Sequence, residues 1–133
     1  MKKTVLLTIL FLLTVAMITG CSGFKHGYTK AQARDQYLKV DAKAENFGFE
    51  RVQAIIDYRG GAIDNFILEK GYPDYLYEYE KEDQEGDERE GFIFYYLEEG
   101  KAYDFMEKSW KPNSARMVEI REFTEFEKKR FGI

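Results

Sequence analysis

The segment Gly91-Phe92-Ile93-Phe94-Tyr95-Tyr96-Leu97 constrains the fold of this chain more than any other. Its apolar and aromatic residues leave no polar face for water, so as a strand it must be covered on both sides and flanked by neighbours. Upstream, Tyr75, Tyr77 and Tyr79 alternate with Leu76, Glu78 and Glu80, the period of a strand with two different faces. Downstream, Glu98-Glu99-Gly100 closes a hairpin, and Lys101 to Met106 sets Tyr103 and Phe105 on one face of a third strand. These segments form an antiparallel meander with 91–97 in the middle. The stretch Lys81 to Glu90, eight charged residues with Gln84 and Gly86, is expected to be an acidic loop joining the first two strands.

Before the meander the period changes to that of helices. Thr29 and Gln32 make a capping-box pattern, and Ala33, Tyr37, Val40, Ala44 and Phe47 recur at spacings of three and four. This predicts a helix over about 30–46, with Arg34, Asp35, Lys39, Asp41, Lys43 and Glu45 on its wet side and Gly48 as its stop. Residues 49–58 satisfy both periods: Val52, Ile55, Ile56 and Arg59 fit a helix, whereas Val52, Ala54, Ile56 and Tyr58 fit a strand. Helix is the favoured reading. Gly60-Gly61 interrupts it, since two adjacent glycines cost about 2 kcal/mol inside a helix. A further short helix runs over 62–70 with Ile63, Phe66 and Ile67 on one side, and Gly71 and Pro73 end it.

The tail carries a loop, Lys108 to Ser114, then Arg116 to Arg121 as a fourth strand with Val118 and Ile120 on one face. Thr124 and Glu127 form a second capping box. The helix it starts, over about 125–131, turns Phe126 inward, with Phe131 a further candidate. The expected fold class is therefore α+β: N-terminal helices packed on a three- to four-stranded antiparallel meander, with a short C-terminal helix. No repeat or proline-rich linker divides residues 29–133, which read as a single domain.

The first 23 residues carry an address. Lys2 and Lys3 precede an uncharged apolar run, Val5 to Ile18, which fits a signal h-region and is too short for a membrane span of about 20 residues. Thr19 and Gly20 are small, and Cys21, the only cysteine of the chain, follows them. Ile18-Thr19-Gly20-Cys21 resembles the lipobox of bacterial lipoproteins. That resemblance implies a signal peptide over 1–20, a thioether lipid on Cys21, palmitate or another fatty acid on the freed amine, and a lipidated tether over 21–28. Ser22 after the cysteine implies the periplasmic face of the outer membrane if the envelope is Gram-negative. Two or three acyl chains, at about 0.8 kcal/mol per buried methylene, make such anchoring durable.

Removal of 1–20 takes away two lysines and no acid, leaving 18 basic and 24 acidic residues and a net charge of −6. An acidic domain argues against nucleic acid as partner and against a polybasic membrane surface. A Cys21 thioether leaves no thiol for a disulfide or a nucleophile, and His26, on the tether, is the only imidazole. Cysteine–histidine and serine–histidine catalysis and zinc sites of that type are thereby excluded from the domain. No phosphate-cradling glycine loop or nucleophile elbow is present. Carboxylate pairs such as Asp57 with Asp64, or Glu98 with Glu99, remain conceivable acids and bases, but 24 acidic residues produce such pairs by chance. Asp83, Glu85, Asp87 and Glu88 around Gly86 could offer oxygens to calcium, yet their order does not match an EF-hand. A solvated hairpin tip is the expected reading, with no metal, no cofactor and no enzyme activity.

Two helices, the second ending Lys70-Gly71-Tyr72-Pro73, followed by a tyrosine-rich meander behind a lipoprotein signal, resemble the SmpA/OmlA family of small outer-membrane lipoproteins. The resemblance spans about 63–106 and implies an accessory or scaffold role in the envelope; it carries over no functional residue.

Aromatic residues supply the partner candidates. The chain from Cys21 onward holds 21 Phe, Tyr and Trp among 113 residues, more than one small core uses. The Tyr75, Tyr77, Tyr79 stripe either packs beneath the helices or presents rings to a partner; Trp110, between Lys108 and Lys111 in a loop, either covers the sheet edge, the favoured reading, or anchors a partner, and is the better anchor candidate of the two. Two functions follow. One is a lipid-anchored, non-catalytic interaction or assembly module of the envelope, with an envelope protein as partner. The other is an inhibitor or immunity factor that inserts its acidic hairpin into the basic cleft of a secreted enzyme or toxin.

Overall fold

The computed structural model describes residues 29–133. The signal segment, Cys21, His26 and the tether lie outside the described residues. The elements are β1 (Tyr37–Lys39), α1 (Phe47–Arg59), α2 (Gly61–Lys70), β2 (Tyr75–Glu82), β3 (Glu88–Tyr96), β4 (Lys101–Lys108), β5 (Lys111–Glu122) and α3 (Glu125–Arg130). The strands form one antiparallel sheet in the order β1-β2-β3-β4-β5. The architecture is α+β, with five strands rather than the expected three or four.

Strand β3 sits at the centre and is buried throughout its apolar half, as its two-faced composition demands. One face of the sheet, with Leu76, Phe92, Phe94, Tyr96, Tyr103 and Phe105, packs against Val52 and Ile55 of α1 and Ile63 and Ile67 of α2. Each such side chain withdrawn from water contributes about 1.5–3 kcal/mol. The other face gathers Ile93, Tyr95 and Ala102 with Phe123, Phe131 and the rings of Tyr37, Tyr75, Tyr77 and Tyr79. Residues 49–58 are helical, and Gly60 and Gly61, both at positive φ (55° and 45°), make the break between α1 and α2.

The helix expected over 30–46 is not formed. Helical residues end at Ala33, Asp35 turns the chain at φ 61°, and residues 37–39 enter the sheet as β1 opposite Tyr75–Tyr77. Asp41 competes with the helix directly, because its Oδ1 accepts the amides of Lys43 (3.0 Å) and Ala44 (3.1 Å). Asn46, read as the helix end, instead caps the start of α1 by accepting the Phe49 amide at 2.9 Å. Gly48 is no stop either. It lies inside α1, where a Cβ would meet the Lys39 carbonyl oxygen at 2.1 Å, so only glycine lets the helix press against the end of β1.

Two expected loops are partly strand. β2 and β3 pair as far as Glu82 and Glu88, leaving only 83–87 as a turn, and β5 begins at Lys111 rather than after Ser114. Their charged composition suits strands whose rims are wet or ion-paired. The C-terminal capping box is formed, but Phe126 is 66% exposed while Phe131 packs on the tyrosine face.

Candidate functional site

The tips of the β2–β3 and β4–β5 hairpins stand side by side, because Gly91 pairs with Met106 and so brings both strands to the same end of the sheet. The first tip is built by Asp83. Its Oδ1 accepts the amides of Glu85 and Asp87, each at 2.9 Å, and its Oδ2 accepts from Arg89 Nε at 2.9 Å. The Asp87 amide, the largest effect, outweighs the opposing effect of burial and, with Arg89 and the Glu85 amide, holds the Asp83 carboxyl below its ordinary range. Gly86 at φ 84° lets the turn close. The second tip is Ser109-Trp110, and the Trp110 side chain is left 75% exposed. Between the tips lies an open groove of about 270 Å³, walled by Trp110, Met106, Arg116, Arg89, Asp83 and Glu85. Two features far apart in sequence, the acidic hairpin and the lone tryptophan, thus border one groove with an apolar wall and both signs of charge.

Behind the groove an ion-pair network ties the start of the domain to the sheet. Lys30 pairs with Glu90 and, at 3.2 Å, with Glu80, which also pairs with Arg34 at 2.7 Å. Buried Arg59 donates to Glu90 at 2.8 Å and to the Pro112 carbonyl at 2.6 Å, with Glu107 at 3.8 Å. Arg51, fully buried, forks onto Glu78 (2.8 and 2.5 Å) and reaches the Thr29 hydroxyl at 2.5 Å. The network encloses a cavity of about 10 Å³, room for about one water and no substrate. Residues 29 and 30 therefore join the domain near the hairpin-tip end.

The tyrosine stripe lies elsewhere. Tyr75, Tyr77 and Tyr79 are on the face opposite α1 and α2, so they do not pack beneath those helices. Tyr75 stacks on Phe131 at 4.4 Å, Tyr77 meets Tyr37 at 4.8 Å, and the Tyr79 hydroxyl donates to Asp104 at 2.6 Å. Burial first, and the Asp104 hydrogen bond second, push the Tyr79 hydroxyl above its usual pKa. These half-buried rings form the second core layer and offer a partner little.

The carboxylate pairs are not assembled as acid and base. Asp57 and Asp64 are exposed on successive helices, and Glu99 is held by Lys70 and by the Tyr103 hydroxyl at 2.6 Å. Among the described residues no group of three or more His, Cys, Asp or Glu is placed to hold a metal ion. The buried arginines were harder to foresee. Arg51 and Arg59 lie four residues to either side of Ile55, on the inward face of the helical pattern, but a charged residue is buried there only with a partner, which for Arg51 is Glu78 across the core.

The strand expected over Arg116 to Arg121 is part of β5, and a bulge at Val118 breaks the simple alternation that would set Val118 and Ile120 on one face. β5 has one strand neighbour, β4, and exposes Met117 (43%), Val118 (40%) and Ile120 (54%). No family model, no curated protein and no solved structure matches this chain.

Proposed function

We propose that the chain is a lipid-anchored, non-catalytic envelope protein, held through acyl chains on Cys21, whose domain engages another envelope protein at its hairpin-tip end. The observation that carries this reading is Trp110, 75% exposed on a groove at the end of the sheet where residues 29 and 30 join the domain. A large ring left in water and beside a concave, mixed-charge surface is the composition of an interface anchor. An accessory or scaffold role is also the one that the SmpA/OmlA resemblance implies.

The test is photocrosslinking in intact cells from a probe placed at Trp110, with the same probe at exposed Asp64 as control. A discrete adduct from position 110 alone supports the reading; identical patterns from both positions defeat it. Cys21→Ser separately tests the anchor, and is expected to abolish acyl labelling and release the protein from membranes.

An inhibitor role for the acidic hairpin retains one supporting observation, the exposure of Glu85, Asp87 and Glu88 at its tip. Asp83, by contrast, is spent on its own turn. Salt-sensitive binding to a cationic enzyme, lost on Glu85→Gln/Asp87→Asn/Glu88→Gln substitution, would favour this second reading.

A further inference from the structure

The geometry points to β5 as a self-pairing edge: two copies of this chain join β5 to β5, antiparallel about a two-fold axis at Met117. Among the described residues no backbone pairs with the outer side of β5, and its exposed Met117, Val118 and Ile120 are the apolar surface of that edge. An edge strand is a template for another strand; charges and bulges usually guard it, and on β5 the charges are of both signs, so they deter other strands but complement a second copy that carries the same bulge.

The charges on β5 select a second copy as occupant. The β4 register places Met117 opposite Phe105 and Glu119 opposite Asp104, so Val118 is the extra residue of a bulge and falls out of the pairing count. Arg116, opposite Met106, and Glu119 therefore share one face, while Ala115, Met117 and Ile120 share the other. Centring the two-fold axis on Met117 then sets Arg116 against Glu119 of the second copy, twice, and exposed Ile120 against Ala115. Arg116 and Glu119 are exposed and form no ion pair among the described residues. Centring on Arg116 or on Glu119 would bring like charges face to face, which is destabilising. Centring on Ile120 would set Glu119 against Arg121, which is already committed to Glu127 at 2.6 Å. Only the Met117 register satisfies every charge.

Pairing of β5 with β5 does not require lipidation. It is tested on the full-length protein in its own membranes by disulfide crosslinking of Met117→Cys. Directly opposed antiparallel residues have Cα atoms about 4.5–5.5 Å apart, within disulfide range. The expected result is an oxidised dimer from Met117→Cys and none from Asp64→Cys. Adding Arg116→Glu should lower the dimer yield at least about tenfold, because two attractive pairs become repulsive, and adding Glu119→Arg as well should restore it. Equal yields from positions 117 and 64, indifference to Arg116→Glu, or no restoration by the double reversal would overturn the inference. The parent chain is the control for Cys21: a dimer formed without any introduced cysteine reports a free Cys21 thiol, a failure of the lipid anchor and not of the β5 edge.

Discussion

At Gly91 a Cβ would lie 2.3 Å from Tyr79 Cζ, so the Tyr79 ring is seated where every other residue type would have a side chain. The ring covers the glycine across the β2–β3 pair, and Gly91→Ala should cost about 1–3 kcal/mol by overpacking. Urea denaturation checks this, and Gly91→Ala should be better tolerated in a Tyr79→Ala background; equal costs in both backgrounds would contradict the contact. Arg51 and Glu78 make the sharper case. Both are buried, and removing one partner leaves a charge without compensation, so Glu78→Ala should lose about 3–5 kcal/mol. Replacing both, as Arg51→Met with Glu78→Leu, should recover much of that loss in the same measurement. The alternation of Glu78 with tyrosines was legible in the sequence, but its facing the helices was not. That placement depends on Arg51 arriving from an element 27 residues away.

Among the elements, α3 is secured by one carboxylate. Burial by itself would raise the Glu127 pKa, but the Arg121 fork (2.6 and 3.0 Å), the Thr124 amide and the Tyr95 hydroxyl outweigh it and bring it down to about 2. A carboxyl whose folded pKa lies below its unfolded value of 4.5 contributes stability that is complete above that value and is lost as pH falls through about 2. The contribution is on the order of 3 kcal/mol. Acidification from pH 5 to 2, about that range of titration, should therefore loosen α3 and expose the Phe131–Tyr75 stack, observable in aromatic NMR shifts. In Glu127→Gln the pH dependence should flatten. The capping box that starts α3 was readable from Thr124 and Glu127 alone because capping is local. The error over 30–46 has the opposite origin. Ala33, Tyr37, Val40 and Ala44 satisfy a helical period, yet Asp41 and Asn46 form local turns and caps, and Tyr37–Lys39 gains strand hydrogen bonds from β2. Periodicity counts apolar spacing and is silent about a competing partner 38 residues away in sequence, the separation of Leu38 and Leu76.

For the whole molecule, the two hairpin tips, the junction at residues 29 and 30 and Trp110 share one end, so stability and interaction should separate cleanly. Trp110→Ala removes an exposed ring and should shift stability by no more than about 0.5 kcal/mol while abolishing the adduct formed by a probe placed instead at neighbouring, exposed Ser109. Trp110 fluorescence checks the premise independently. It should be red-shifted and accessible to quencher, and a blue-shifted, protected signal would remove Trp110 as an anchor.

The features that residue types and short spacings fix are local or compositional. The apolar run of β3 required a central strand, Gly60-Gly61 and Gly71 set helix boundaries, Thr124 and Glu127 started α3, and the residue counts limited the available chemistry. Each follows from interactions within a few residues or from residue type alone. Long-range packing makes YLK an edge strand, turns the tyrosine stripe away from α1 and α2, buries Arg51, and brings Trp110 to the acidic hairpin. Those outcomes are set by partners distant in sequence, whose hydrogen bonds and buried area outweigh local preferences worth a few tenths of a kcal/mol per residue.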